Sequence, residues 1–131
     1  MESRARSEKG CRKAVDIDTR GGPLDRAAIA RIWRGATHED DARDYRHSLR
    51  ADLREVRSVD GNVGAFVLER TSDGRAEFLF VSLWESMDAV VGFAGAEVDR
   101  AVYFRNDERV LLELTPRVEH YEIVAAEVGP R

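Results

Sequence analysis

The sequence contains a single cysteine, Cys11, so no internal disulfide can form, and an unpaired thiol is typical of a reducing compartment. Proline is also scarce, with 3 in 131 residues, which excludes collagen-like and proline-rich low-complexity chains. No apolar run approaches the roughly 18 residues that a membrane helix needs, and the N-terminus lacks the apolar core of a secretory signal. These absences predict a cytoplasmic globular protein with one core.

An excess of basic charge is missing as well. The formal net charge is −4, and it is unevenly spread: residues 1–26 carry seven basic and five acidic side chains, whereas the rest carries 14 and 20. A nucleic-acid-binding surface needs a cationic face to contact phosphates. We therefore expect neither a nucleic acid nor a membrane as partner.

Residues 1–26 contain few apolar side chains without periodicity, and Gly21-Gly22-Pro23 interrupts any regular element. We predict a flexible N-terminal extension over residues 1–26, one folded domain over residues 27–127, and a short tail over residues 128–131.

The first element of this domain is a predicted strand over residues 27–36, with Arg31 and Trp33 on one face and Ile32 and Arg34 on the other. Thr37 is the predicted N-cap of a helix whose first turn is acidic and which fades before Gly61. Its apolar side chains recur at helical spacing, at Ala42, Tyr45, Leu49, Leu53 and Val56.

Two runs rich in β-formers, residues 63–70 and 75–84, flank the hairpin signal Asp73-Gly74 and should pair antiparallel. The remaining elements are predicted from their end signals: a short helix from Ser86 to Gly95, a second helical stretch over residues 97–103, a turn at residues 106–108 and a final strand over residues 118–125.

The order strand, helix, strand, strand, helix, strand predicts an α+β, ferredoxin-like βαββαβ fold with a four-stranded antiparallel sheet. Two helices can cover only one face of this sheet. The third strand is nevertheless apolar on both faces, because Phe78, Phe80 and Trp84 alternate with Leu79, Val81 and Leu83. The sequence therefore predicts a homodimer in which a second copy covers the other face, giving a dimeric α/β barrel.

Several local strings resemble the antibiotic biosynthesis monooxygenase family of the dimeric α/β barrel superfamily. They span residues 29–125, and the most distinctive is the Trp-Glu-Ser turn into the second helix. The strings are Ile32-Trp33-Arg34-Gly35, Gly61-Asn62, Ser82-Leu83-Trp84-Glu85-Ser86, Phe93-Ala94-Gly95 and His120-Tyr121-Glu122-Ile123.

This resemblance implies a pocket in each subunit for a hydrophobic aromatic molecule, and a monooxygenase that uses molecular oxygen without metal or flavin. A deprotonated phenol or hydroquinone can itself reduce dioxygen, so the protein supplies burial, orientation and proton transfer. The substrate class implied is a polyketide-like phenol or hydroquinone of secondary metabolism. Relatives use pocket tryptophan, asparagine and arginine side chains, for which the candidates are Trp33 or Trp84, Asn62, and Arg31 or Arg34.

The residues themselves offer further candidates and alternatives. Arg31 shares a face with apolar side chains, so it must reach water or pair with an anion, such as substrate. His120 lies mid-strand and is either a base near neutral pH or a hydrogen-bonded residue at the dimer interface. Asn62 can equally be a turn residue, and either tryptophan can be core. The predicted substrate-binding aromatic side chains are Tyr45, Phe66, Phe80, Phe93 and Tyr103.

Other functions remain open at this point. The same pocket could serve an oxygen-independent cyclase or isomerase, or a protein that binds a small molecule without turnover. Haem-degrading members of the superfamily need a tryptophan and an iron-ligating histidine, where this chain has Phe93 and Tyr103. Tyrosine can ligate haem iron, so binding stays possible but is disfavoured. No histidine and carboxylate cluster has the spacing of a metal site.

Overall fold

The computed structural model describes residues 26–102, 111–112, 117–127 and 129. Within these residues, four antiparallel strands form one sheet in the order β2-β3-β1-β4. The elements follow the chain as β1 (Ile29–His38), a 3-10 turn (Glu39–Asp41), α1 (Ala42–Arg57), β2 (Asn62–Ser72), β3 (Arg75–Trp84), α2 (Met87–Ala94) and β4 (Glu119–Glu122). The predicted ferredoxin-like βαββαβ fold is therefore confirmed.

The alternation of side chains along β1 and β3 divides the sheet into two faces. Trp33 pairs with Phe80 on one face, and Ile32 pairs with Val81 on the other. Helices α1 and α2 pack on the first face, which we call the covered face, and the main core lies there. The second, or open, face carries Ile32, Phe66, Leu68, Leu79, Val81, Leu83 and Tyr121.

The predicted turn chemistry is confirmed at both ends of the β2–β3 unit. Asp73 and Gly74 have φ angles of 56° and 76°, which a two-residue hairpin turn requires and which aspartate and glycine tolerate best. Ser86 caps α2 by accepting a hydrogen bond from the backbone N–H of Ala89 at 3.1 Å. Gly95, with φ of 89°, ends the same helix.

The predicted N-cap at Thr37 is wrong. Strand β1 continues through Thr37 and His38, because both stay in register with β3, opposite Ala76 and Arg75. The Thr37 hydroxyl donates to the carbonyl oxygen of His38 at 2.8 Å instead of capping a helix. The acidic residues predicted for the first helical turn form the 3-10 turn, and α1 begins only at Ala42.

The predicted helical stretch over residues 97–103 is also wrong where the structure describes it. Residues 97–100 form a turn, and Arg100 pairs with Arg117 in an isolated β-bridge just before β4. The backbone N–H of Val118 donates to the carbonyl oxygen of Asp99 at 2.8 Å, so this segment pairs with the chain before β4 instead of forming a helix. Strand β4 is shorter than predicted, although Ile123 still donates to the carbonyl oxygen of Ala28 at 2.8 Å.

Four predicted segments lie wholly or partly outside the described residues. They are residues 1–25 of the N-terminal extension, Tyr103, the turn at residues 106–108, and residues 128 and 130–131 of the tail. In the part of the chain that is described, no helix is long and apolar enough to cross a lipid bilayer.

Candidate functional site

A cavity lies between the covered face of the sheet and helices α1 and α2. Its apolar wall is formed by Leu49, Val56, Phe80, Phe93, Val102 and Val118. The other lining side chains carry polar atoms, and they are Arg31, Trp33, Tyr45, Asp52 and Ser82. The free volume is about 30 Å³, which accommodates one or two water molecules. A ring-sized ligand needs a pocket of roughly 300 Å³ or more, so binding one requires part of the wall to move.

Arg31 is the central polar group of this site. Although it is an arginine, only 4% of its surface is exposed, because β1 places it on the covered face. Its guanidinium donates from Nη1 to the carbonyl oxygen of Val98 at 2.6 Å and from Nη2 to that of Arg100 at 2.9 Å. Burial lowers the pKa of Arg31 to about 10, with Asp99 opposing the shift. Arg31 thus remains a cation at neutral pH, partly stripped of water.

His120 extends the polar network from Arg31 toward the surface. Its Nε2 lies 3.0 Å from Nη1 of Arg31, and because a guanidinium only donates, this nitrogen must accept. The proton therefore sits on Nδ1, which faces the carboxylate of Asp99 at 3.3 Å. Burial lowers the pKa of His120, Arg31 lowers it further, and Asp99 opposes both. The ring is accordingly neutral at neutral pH.

Trp33 contributes a second hydrogen-bond donor to the site. Its indole Nε1 is buried and has no hydrogen-bond partner among the described residues, although buried donors normally find one. The ring lies over Gly35, where a Cβ would come within 2.8 Å of Cζ2 of the ring. Glycine at position 35 therefore makes the space that lets the indole lie flat against β1.

Asp52 faces the same cavity from α1 and is 5% exposed. It stands seven residues after Tyr45 and three after Leu49, on the buried stripe of the helix. Asp52 was not among the predicted site residues, although an acidic side chain at an apolar stripe position is a recognisable signal. Ser82, also missed, lies among apolar residues of β3, and its Oγ accepts from Nε1 of Trp84 at 2.8 Å.

Phe93 of α2 lines the cavity with its aromatic ring and packs against Trp84 of the core. Its ring stacks on Trp84 with centroids 5.3 Å apart and an interplanar angle of 30°. The guanidinium carbon of Arg31 lies 5.6 Å from the centroid of the same ring, within cation–π range. Phe93 therefore contacts both the buried guanidinium of Arg31 and the core residue Trp84.

The structure brings together only part of the predicted site. Arg31, Trp33, Tyr45, Phe80 and Phe93 line the cavity, and His120 contacts Arg31 without lining it.

The other predicted side chains lie elsewhere. Trp84 sits behind Phe93 in the core, and Phe66 and Arg34 are on the open face, where Arg34 pairs with Glu119 at 3.3 Å. Asn62 accepts from Nη1 of Arg57 at 2.9 Å and donates to the carbonyl oxygens of Gly64 and Leu83, both at 3.1 Å. Its amide thereby stabilises the start of β2, outside the cavity lining.

In the part of the chain that the structure describes, the fold is α+β, and a cavity with apolar and polar lining residues lies between the sheet and its helices. Residues 28–100, more than half of the chain, match the family described as antibiotic biosynthesis monooxygenase. The chain belongs to the antibiotic biosynthesis monooxygenase family. No curated protein shows significant sequence similarity to it.

Solved structures share the fold at low sequence identity. NE2512 from Nitrosomonas europaea, a protein of unknown function, has a TM-score of 0.57 and 14% identity over 80% of this chain and 97% of its own. PA3566 from Pseudomonas aeruginosa has a TM-score of 0.51 and 16% identity over 77% and 96%. The haem degrader MhuD from Mycobacterium tuberculosis has a TM-score of 0.53 and 20% identity over 77% and 99%. At these identities the likeness concerns the fold alone.

None of the described histidines is placed to ligate a haem iron, and Tyr103, the other candidate ligand, lies outside the described residues. Both ring nitrogens of His120 are engaged, with Arg31 and Asp99, and His38 and His47 are exposed outside the cavity lining. Among the described residues, no group of three or more histidine, cysteine, aspartate or glutamate side chains could hold a metal ion.

Proposed function

We propose that this protein is a cofactor-independent monooxygenase that oxidises a polyketide-like aromatic phenol or hydroquinone. The observation that carries the proposal is the pairing, in one buried cavity, of hydrogen-bond donors and a carboxylate. The cation of Arg31 and the N–H of Trp33, which has no partner among the described residues, can hold an oxygen anion, and Asp52 can accept its proton. Membership of the monooxygenase family supports the same reaction class.

The proposed reaction balances with dioxygen as the sole co-substrate. For an anthrol, loss of the hydroxyl proton gives an electron-rich anion whose opposite ring carbon reacts with O₂. That carbon loses its hydrogen and gains a carbonyl oxygen, so that anthrol and O₂ give anthraquinone and water. All four electrons that reduce O₂ come from the substrate. The protein has to supply proton acceptance, anion stabilisation and burial.

The roles of individual residues follow from their positions. Asp52 on α1 takes the phenolic proton, and Arg31 on β1 stabilises the oxygen anion. Phe80 and Phe93 pack against the rings. Because the free volume is about 30 Å³, we expect Phe93, which is only partly buried on the eight-residue α2, to move when substrate binds.

Oxygen uptake tests the proposal. Flavin-free protein treated with chelator is mixed with a panel of anthrols and hydroquinones in an oxygen-electrode cell. We expect oxygen consumption above the rate without protein and, with an anthrol, one oxygen atom of ¹⁸O₂ in the product. Product formation under strict anaerobiosis would instead indicate a cyclase or isomerase. Saturable binding without turnover of any panel member would indicate a binding protein.

We also propose that the open face of the sheet pairs with a second copy of the chain. Leu68 is 49% exposed and Tyr121 is 53% exposed on this face, next to Ile32, Leu79 and Leu83. A sheet face on which apolar side chains are partly to half exposed is typical of an interaction surface. A two-fold axis would bring the same patch of both copies together. Light scattering at micromolar concentration should give twice the mass of the chain, and the monomer mass would refute the pairing.

A further inference from the structure

We infer that His120 and Asp99 are positioning residues for Arg31: neutral His120 accepts a hydrogen bond from the guanidinium, Asp99 holds the ring, and a proton on His120 removes this support. The inference deepens the proposed function, since it concerns the cation assigned to the substrate oxygen. Anion binding by Arg31 in the cavity then depends on the charge of His120, which does not line the cavity.

Strand pairing places the two side chains together. Arg31 on β1 and His120 on β4 are directly opposite in the antiparallel register and therefore share the covered face. Nη1 of Arg31 and Nε2 of His120 are 3.0 Å apart, and Nδ1 of His120 is 3.3 Å from Oδ1 of Asp99. The chain of contacts runs from the cavity to a carboxylate whose side chain is 64% exposed. A surface charge is thereby connected to the buried cation.

The hydrogen bonds of Arg31 show how its guanidinium is held in position. The carbonyl oxygens of Val98 and Arg100 and the ring of His120 take three of its N–H groups. A guanidinium has five, so two N–H groups have no acceptor among the described residues and can serve a ligand oxygen in the cavity that Arg31 lines. The three acceptors fix the plane of the guanidinium. His120 is the only one of the three that titrates near neutral pH.

Protonation of His120 would turn its attractive contact with Arg31 into a repulsive one. A proton on Nε2 would face a donor of Arg31 at hydrogen-bond distance, with like charges on both groups. Of the described groups, Arg31 from β1 and Asp99 from the turn at residues 97–100 are those that shift the His120 pKa, and they act in opposite directions. The charged ring would therefore stay with Asp99 and lose Arg31.

NMR relaxation of the Arg31 Nε–H group tests the inference on the full chain without any substrate. In the unaltered protein we expect an order parameter of about 0.8 above pH 7 and below about 0.6 once His120 is protonated. His120→Gln should keep the high value at every pH, because its amide can accept from Arg31 and donate to Asp99 without titrating. His120→Ala should give the low value throughout. His47→Gln, altered on the exposed side of α1, should behave as the unaltered protein.

Asp99→Asn provides a second, independent variant. Asp99 is exposed, so the substitution should leave the fold intact, and it removes the charge that raises the His120 pKa. The His120 pKa, measured from its own ring signals, should fall. The pH midpoint at which the Arg31 order parameter drops should fall by the same amount. An Arg31 order parameter that stays high through the His120 titration, or midpoints that move separately, would overturn the inference. Because no oxygen chemistry is involved, this outcome is distinct from failure of the proposed monooxygenase reaction.

Discussion

The two faces of the sheet are built from the same four strands but differ in which side chains they bury and which they leave exposed. On the covered face, Phe78 and Trp84 are almost completely buried, and the face also encloses Arg31, whose polar atoms are costly to bury. On the open face, neighbouring positions of the same strands carry apolar side chains such as Leu68 that stay half exposed. Polar groups are thus buried where helices cover the sheet, and apolar groups are exposed where nothing described covers it.

The two faces therefore differ in how their side chains are covered, although β1 and β3 contribute to both faces. On the covered face, helices of the same chain bury the core, and our proposal places the chemistry there, whereas the proposed pairing with a second copy would bury the apolar surface of the open face. Substitutions at neighbouring positions of one strand should therefore have different consequences, since successive side chains point to opposite faces.

The largest expected effect is the loss of the proposed dimer. Leu79→Arg places a charge in the centre of the open face, and the two-fold axis doubles its cost. We expect a monomer by light scattering at micromolar concentration, with an unchanged circular dichroism spectrum. Ala51→Arg, on the exposed side of α1, is the control and should leave the mass unchanged. If Leu79→Arg remained dimeric, the pairing would involve another surface.

The second largest effect should come from the core of the covered face. Phe78 is 1% exposed and contacts Tyr45 edge-to-face with ring centroids 5.2 Å apart. Phe78→Ala should lower the free energy of unfolding by about 3–5 kcal/mol in a urea titration. Leu68→Ala on the open face should cost less than about 1 kcal/mol in a monomeric sample, because half of that side chain is already exposed. Equal losses at both positions would contradict the division between the faces.

An intermediate effect is expected at Gly35. A methyl group there would collide with the ring of Trp33, so Gly35→Ala should lower the free energy of unfolding by about 1–3 kcal/mol. It should also shift the Nε1–H NMR signal of Trp33. Gly92→Ala is the matched control: its Cβ would meet nothing within 4 Å, and alanine favours α2 by about 0.5–1 kcal/mol. An unchanged Trp33 signal in Gly35→Ala would show that the ring does not lie over β1.

The smallest effect concerns pH. Since the folded protein lowers the pKa of His120 below 6.5, the unfolded chain binds a proton first as pH falls. The contribution of His120 to stability is thus fully present above about pH 6.5 and is lost as pH falls through the folded-state value. Urea midpoints should decline less on acidification in His120→Gln than in the unaltered protein. His47→Gln should retain the full decline, and identical curves for all three would contradict a buried, neutral His120.

Most of the fold could be predicted because alternation and turn residues act locally. The alternating side chains of β3, the Asp73-Gly74 turn and the Ser86 cap each specify their element within a few residues. Thr37 was misjudged because pairing with β3 across the sheet outweighed its capping propensity. Residues 97–100 were misjudged for the same reason, since their bridge to Arg117 connects distant parts of the chain.

The candidate site was less predictable than the fold. Alternation predicted that Arg31 and Trp33 share one face of β1, and the helical stripe predicted a buried Tyr45, but only the structure shows that all three line one cavity. The contact of His120 with Asp99 depends on the path of the turn before β4, which no local pattern encodes. Asp52 could have been found from its stripe position alone.

Oxygen consumption by paired arginine variants tests the central claim most directly, because it asks whether the cation of the covered face takes part in catalysis. Arg31→Met removes the buried charge while keeping an extended side chain, and Arg50→Met removes an exposed charge from α1. With an anthrol that the unaltered protein oxidises, Arg31→Met should lower the rate about 100-fold, and Arg50→Met should change it less than about twofold. Folded Arg31→Met protein that consumes oxygen at the unaltered rate would contradict the account.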